Sequence, residues 1–233
     1  MLTLVPVMRV GLALLVQTEH PDEAAQQVNL AVPVRQADGW QLLRYRRIPP
    51  NEFQFASEGL EITIHSSAGP AIYPLKKPAR IRAIRASGKI FGTLRVPAGK
   101  QGEKHFDDYA LRLGLVEAGT RTLSFYERTT APDWVRKLFS LAPKGAGISR
   151  VHFFNLGTDA TQIGRERDHP TNQIIRERTV AVPGADGRFA FTYRLDRDIQ
   201  TVAVWISCDG DDTRSDFKVT LEKLELEQAP ASE

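Results

Sequence analysis

The sequence contains a single cysteine, Cys208, among 233 residues. One cysteine excludes an intrachain disulfide framework and cysteine-based zinc fingers, so cysteine usage leaves the cellular compartment open. The five histidines show neither an H-x-H nor an H-E-x-x-H spacing, which argues against a histidine metal site. No G-x-S-x-G, P-loop or G-x-G-x-x-G motif occurs, which disfavours serine hydrolases, nucleoside triphosphatases and Rossmann enzymes. The sequence therefore carries no recognisable catalytic constellation.

Long apolar runs are also missing. No stretch approaches the roughly 20 apolar residues that a transmembrane helix needs. Residues 8–16 have the basic start and short apolar run of a signal segment, but residues 17–21 lack a small-residue cleavage site. Residues 1–25 are therefore read as a leader or signal segment, with an N-terminal strand as the alternative.

The charge balance is mild, with a formal net charge of +3. Residues 76–100 hold eight basic and no acidic residues, yet Phe91 is the one aromatic among them. A groove for nucleic acid would interleave such basic residues with exposed aromatic ones. We therefore interpret this stretch as a solvated face and expect no nucleic-acid partner.

Apolar and polar residues alternate with a period of two along most of the chain, which predicts half-buried strands. Many short strands separated by glycine-containing turns are typical of a sandwich or jelly roll. We predict an all-β fold: an antiparallel β-sandwich (jelly roll) with one short helix. A single domain covers residues 26–227, and residues 228–233 form a frayed tail. The predicted strands cover residues 28–34, 40–46, 53–56, 60–64, 81–86, 89–96, 109–115, 122–127, 149–156, 174–182, 189–195, 201–207 and 217–226.

Two segments depart from this alternation. In the last strand, the apolar residues up to Leu221 share one face and those from Leu224 share the other, which predicts a β-bulge or bend at residues 222–223. Residues 131–141 place Pro132 in a first helical turn and have apolar residues on one side, which predicts the short helix.

An acidic turn, Cys-Asp-Gly-Asp-Asp-Thr at residues 208–213, joins the last two strands. Asp209, Asp211 and Asp212 supply the carboxylate oxygens that Ca²⁺ prefers, so they are the predicted metal ligands. Two alternatives stay open: a turn in which the carboxylates accept backbone N–H groups, and a catalytic carboxylate. Apart from this structural calcium, the sequence predicts no cofactor.

The predicted ligand-binding residues are Arg112, Arg165, Arg167 and His169. The last three lie in residues 157–172, interpreted as an ionisable loop between strands, and binding usually resides in such loops. An arginine pair there grips a carboxylate, phosphate or sulfated sugar bidentately. Arg112 is interpreted either as paired with a carboxylate or as lining a polar concave face. Flat aromatic faces for sugar stacking are offered by Trp40, Tyr73, Trp134 and Trp205.

The segments Asp-Asp-Tyr-Ala-Leu-Arg-Leu-Gly (residues 107–114) and Ile-Ser-Cys-Asp-Gly-Asp-Asp-Thr (residues 206–213) resemble a bacterial family, domain-of-unknown-function family 3047. The resemblance extends over roughly residues 107–226. It departs from the family pattern before the turn, where Ser207 and Cys208 replace a first aspartate. The resemblance implies a jelly roll like those of carbohydrate-binding modules and an exported location, with no assigned activity.

Together these observations predict a non-catalytic binding or accessory module of the bacterial envelope, periplasmic or secreted. Its partner is a glycan or another polar or anionic molecule. One alternative is a polysaccharide-acting enzyme that uses carboxylates from the Asp107 and Asp209 regions, which would stand about 5–10 Å apart in an open groove. The other alternative is a structural interaction domain, favoured where no concave polar face exists.

Overall fold

The computed structural model of the chain describes residues 29–169 and 172–230. The predicted leader at residues 1–25 lies outside them, as do residues 231–233 of the predicted tail. β-strands dominate the described residues, so the all-β prediction is confirmed. No helix in these two ranges is long and apolar enough to cross a membrane.

The described residues form eleven strands, two α-helices (α1 and α2) and one 3₁₀ turn. The strand order is β3-β4-β11-β5-β10-β6-β7-β9-β8, with β1 pairing with β11 and β2 with β5. All strand pairs are antiparallel except β7 with β9. The elements are β1 (Asn29–Ala31), β2 (Gln41–Leu42), β3 (Glu52–Ala56), β4 (Gly59–His65), β5 (Ala68–Gly92), β6 (Leu111–Gly119), α1 (Phe125–Thr130), α2 (Asp133–Ser140), β7 (Gly147–Leu156), the 3₁₀ turn (Ala160–Gln162), β8 (Glu166–His169), β9 (Asn172–Ala181), β10 (Arg188–Asp209) and β11 (Asp216–Gln228).

The sandwich depends on two long strands. β5 and β10 pair along most of their lengths and pass through register shifts, for example between Arg194 and Ile199. β10 was predicted as two short strands, and so was the part of β5 from residue 81 on, because polar and glycine-containing stretches interrupt the apolar alternation. Residues 68–80 of β5 were not predicted as a strand. The bulge predicted at residues 222–223 is confirmed by a register shift between Leu221 and Lys223 of β11. This shift keeps both Leu221 and Leu224 buried.

The second half of β10 is buried on both faces. Val204 and Ile206 belong to the main core, whereas Ala203 and Trp205 belong to a second apolar cluster on the opposite face. Adjacent residues on a strand point to opposite faces, so an uninterrupted apolar run serves both clusters. The neighbouring strand β6 has Gly114 beneath this second cluster, where a Cβ atom would lie 2.9 Å from the Trp205 side chain. This contact is to Trp205 Cβ, and the added Cβ atom would also lie 2.8 Å from the Phe153 ring, so the glycine leaves room for both side chains.

The helix α2 covers part of this second cluster. It falls within the predicted range of residues 131–141, with Pro132 as its N-cap. Leu138 is its one buried residue, with no exposed surface, and it packs with the second cluster. Trp134 lies four residues earlier, on the same side of the helix. Packing of α2 through Leu138 therefore brings Trp134 onto the sheet.

Three local predictions are wrong. Residues 122–127 were predicted as a strand, but α1 begins at Phe125 because Ser124 and Glu127 form a capping box. The fold therefore has two short helices rather than one. Of the strand predicted at residues 40–46, only Gln41–Leu42 pairs with β5. The loop predicted at residues 157–172 contains the 3₁₀ turn and β8, which pairs with β9.

Glu117 of β6 forms polar contacts that should make the stability of the fold depend on pH in acid. Glu117 accepts hydrogen bonds from Arg197 at 2.6 and 2.8 Å, and His152 Nε2 lies 2.8 Å from its carboxylate. Burial raises the pKa of Glu117, but these partners outweigh burial and hold its pKa at about 2. Because this pKa is lower in the folded than in the unfolded chain, the ionised Glu117 carboxylate stabilises the fold. The stabilisation is complete above about pH 4.5 and disappears as the pH falls towards 2.

We therefore expect Glu117→Gln to lower the free energy of unfolding by on the order of 1 kcal/mol near neutral pH, discounted for partial exposure. The difference from the wild type should shrink as the pH falls below about 4.5. Urea denaturation of both proteins across this pH range measures it. A difference that stays constant down to low pH would show that the carboxylate charge contributes nothing.

A candidate ligand-binding cleft

A cleft of about 720 Å³ opens on the face of the sheet that carries α2. Its lining residues come from strands β5 to β10, the acidic turn, the residues before β6, residues 45–48, and α2 with the residue before it. We call two parts of it the acidic end and the aromatic wall. The acidic end comprises Asp107, Asp108, Asp209, Asp211 and Asp212. The aromatic wall comprises Tyr45, Trp134, Phe153 and Trp205.

The rings of the aromatic wall pack edge to face. The Trp134 ring lies 6.2 Å from Tyr45 and 5.6 Å from Trp205, both at 88°. Phe153 and Trp205 are buried, whereas Tyr45 and Trp134 are half-buried and line the cleft. Trp205 Nε1 has no hydrogen-bond partner among the described residues. The rings of Tyr45 and Trp134 therefore border the cleft, where a ligand can contact them.

Arg112 joins three carboxylates at the acidic end. It is buried, with 6% of its surface exposed, and forms ion pairs with Glu177, with Asp209 at 2.7 Å and with Asp107 at 3.4 Å. Its guanidinium also stacks on Tyr109, 4.5 Å from the ring centroid. Of the two interpretations left open by the sequence, the structure shows both: Arg112 is paired with carboxylates and lines the cleft.

Asp107 connects Arg112 to β8. Arg167 contacts Asp107 and pairs with Glu177 at 2.6 Å, and His169 Nε2 lies 3.4 Å from Asp107 Oδ2. Burial raises the pKa of Asp107, but the His169 hydrogen bond and the charges of Arg112 and Arg167 outweigh it and hold the pKa at about 2. The Asp107 carboxylate is therefore ionised and fixed in place.

Asp108 organises the acidic turn. Its carboxylate accepts hydrogen bonds from the backbone N–H groups of Asp212 and Thr213, at 3.3 and 2.7 Å. The Thr213 hydroxyl donates to it at 2.6 Å. The carboxylate that holds the turn thus comes from Asp108, which precedes β6 in the chain.

The aspartates of the turn itself differ in their surroundings. Asp209 is buried beside Arg112, and burial raises its pKa to about 7. Asp211 is half-buried, and burial followed by the charge of Asp108 raises its pKa to about 6. Asp212 is exposed. No group of three or more histidine, cysteine or acidic side chains with metal-site geometry occurs in the described residues. Calcium bound by Asp209, Asp211 and Asp212 stays a prediction.

The structure brings together some of the predicted ligand-binding residues and separates others. Arg112, Arg167 and His169 meet around Asp107, and of these Arg112 and His169 line the cleft. Arg165 is exposed and lies outside the lining of the cleft.

Sequence reasoning missed Tyr45 and Glu177. Tyr45 lay in a wrongly predicted strand, and no local pattern marked it as part of a site. Glu177 lies between two arginines in β9 and is buried against Arg112 and Arg167, with 1% of its surface exposed. An acidic residue in an alternating strand pattern is otherwise expected on the solvated face. Trp40 and Tyr73, considered for sugar stacking, pack on each other at 5.3 Å and lie outside the cleft.

No family model and no curated protein matches the chain. The resemblance to domain-of-unknown-function family 3047 therefore stays a prediction. Among solved structures, a xylan-binding module, CBM15, aligns with 88% of this chain and 99% of its own, at 9% identity and a TM-score of 0.37. Crh5 transglycosylase in complex with NAG aligns with 87% of this chain and 85% of its own, at 7% identity and a TM-score of 0.35.

Xylanase10C from Cellvibrio japonicus in complex with xylopentaose aligns with 86% of this chain but 28% of its own, at 8% identity and a TM-score of 0.33. These identities and TM-scores are too low to carry an argument about function. We therefore base the function on the contacts of the cleft.

Proposed function

We propose that this chain is a non-catalytic glycan-binding module and that the cleft is its ligand site. One observation carries the proposal: the cleft places the half-buried rings of Tyr45 and Trp134 beside the acidic end. The flat, weakly polar face of a pyranose packs on an aromatic ring, and its hydroxyl groups donate to carboxylates. The volume of about 720 Å³ falls within the range of small-molecule and cofactor sites.

The contacts of the acidic end favour binding over hydrolysis. A glycoside hydrolase needs one carboxyl group as proton donor and a second as nucleophile or base. Asp107 is held by Arg112 and Arg167, and Asp108 accepts three hydrogen bonds from the acidic turn. Because both carboxylates already bind groups of the protein itself, we assign neither of them a catalytic role. A concave polar face also speaks against a purely structural domain.

A location in the bacterial envelope, periplasmic or secreted, is part of the same proposal. A glycan ligand supports it, because polysaccharides surround bacterial cells.

Trp134→Ala should weaken glycan binding by about tenfold or more, because it removes one of the two half-buried rings that border the cleft. Isothermal titration calorimetry of the intact chain against a panel of soluble polysaccharides and their oligomers measures the change. Phe125→Ala is the matched control: Phe125 is an aromatic residue of the neighbouring helix α1, is 84% exposed and lies outside the cleft. The control should bind like the wild type.

Two outcomes would contradict the proposal. One is the absence of binding to every polysaccharide in the panel. The other is equal loss of affinity in Trp134→Ala and Phe125→Ala, which would place the ligand elsewhere on the surface.

A further inference from the structure

At the acidic end of the cleft, the negative charges of the carboxylates outnumber the positive charges of the arginines. Arg112 and Arg167 are the two guanidinium groups that contact the carboxylates there, and they share Asp107, Asp209 and Glu177 between them. His169 adds a contact to Asp107. The carboxylate of Asp108 is satisfied by neutral donors, which bring no compensating charge.

Asp211 and Asp212 add two further carboxylates to the same end, and neither forms an ion pair among the described residues. Asp212 is exposed, so solvent screens its charge; among the buried and half-buried groups, five carboxylates therefore face two guanidinium groups. Arg46 and Arg47 also line the cleft, but they are exposed, so solvent and salt screen their charges. The buried part of the cleft retains a negative excess.

This excess bears on the ligand's charge. Arg112 and Arg167, which the sequence suggested for binding a ligand, are occupied by the protein's own carboxylates, and Arg165 lies outside the cleft. A glycan that carries uronate or sulfate groups would therefore bring negative charge to an already negative wall. A cationic group would instead find carboxylates with no partner of opposite charge.

We infer that the cleft selects a glycan bearing protonated amino groups, an amino-sugar polymer, whose ammonium group pairs with Asp211 at the acidic end while its ring packs on Trp134. This inference rests on the proposed function. The aromatic wall is the second observation that supports it, because Tyr45 and Trp134 offer ring faces that attract an ammonium group as well as a pyranose. An acidic end without aromatic rings would attract any cation and would not select an amino sugar.

The test compares four pentasaccharides by isothermal titration calorimetry at about pH 6 in buffer freed of divalent cations. At this pH the amino groups are largely protonated, and an ammonium group beside Asp211, whose pKa is about 6, favours its ionised form. The four oligomers are β-1,4-glucosamine, its fully N-acetylated form, β-1,4-glucose and α-1,4-galacturonate. N-acetylation removes the charge and keeps the linkage, so this pair isolates the ammonium group. We expect the glucosamine oligomer to bind about tenfold more tightly than both neutral oligomers, and the galacturonate oligomer most weakly.

Two isosteric variants locate the effect. Asp211→Asn should abolish the preference for the amino oligomer over its N-acetylated form. Asp216→Asn is its control, since Asp216 is exposed at the start of β11 and lies outside the cleft. Thermal unfolding of both variants verifies that they are folded.

Each result is decisive. Equal affinity for the glucosamine oligomer and its N-acetylated form would overturn the inference and leave glycan binding intact. Tightest binding of galacturonate would overturn it too and would point to Arg46 and Arg47. Preference for the amino oligomer that survives in Asp211→Asn would also overturn the assigned contact. If no oligomer and no polysaccharide binds, the proposed function itself fails.

Discussion

Replacing Arg112 with methionine is expected to lower the free energy of unfolding by about 3–5 kcal/mol, because it leaves buried carboxylates without their counter-charge. Glu177 has 1% of its surface exposed and Asp209 has 8%. The methionine side chain fills much of the volume of the arginine stem, so the cost arises from charge rather than from a cavity. Urea denaturation at neutral pH measures the loss.

The control for this prediction is Arg80→Met. Arg80 pairs with Asp198 at 2.9 Å, but both side chains are partly exposed. An exposed ion pair contributes about 0–1 kcal/mol, so this variant should unfold nearly like the wild type. Adding Glu177→Gln to Arg112→Met should recover part of the stability, since it removes a buried carboxylate that has lost its ion pair with Arg112. Equal losses in the two arginine variants would contradict the buried-charge explanation.

Leu138→Ala is expected to lower the free energy of unfolding by about 2–5 kcal/mol, as for other large-to-small substitutions in a core. Leu138 is the single buried residue of α2, so its truncation also weakens the contact that holds the helix on the sheet. Trp134 should then become more exposed, because its position depends on that helix. Urea denaturation measures the stability, and a red shift of the tryptophan emission reports the change at Trp134.

The matched control on the same helix is Ser140→Ala. Ser140 is exposed, and its hydroxyl donates to the backbone carbonyl of Lys137 at 2.7 Å. Exposed substitutions of this kind change stability by about 0.5 kcal/mol or less. A Leu138→Ala protein with unchanged tryptophan emission would mean that other contacts hold α2 in place.

Part of the candidate site could be predicted from the sequence. The acidic turn and the residues around Asp107 were recognised because several carboxylates stand close together along the chain. Trp134 was noted because its flat aromatic face suits a pyranose ring. Arg112 was recognised as an arginine among apolar strand residues, where burial requires a charged partner. Its main partner, Glu177, stayed hidden because it lies 65 residues away.

Local patterns also explain which fold predictions succeeded. The bulge at residues 222–223 was visible because a change of apolar phase within one strand needs an extra residue. The helix α1 was missed because the Ser124–Glu127 capping box outweighs the β-forming residues around it. The merging of strands into β5 and β10 was missed because register shifts carry a strand through segments that look like turns.

The sequence by itself determined that this chain forms a β-sandwich, since the alternation of apolar residues states which face of each strand is buried. Which strands become neighbours was decided by the tertiary structure. β6 lies between β10 and β7, and β9 follows β7. Arg112 thus lies opposite Ser207 of β10 and Asn155 of β7, within reach of Asp209 and Glu177. The strand order depends on the packing of the whole core, so the cleft and its charges could not be read from any local segment.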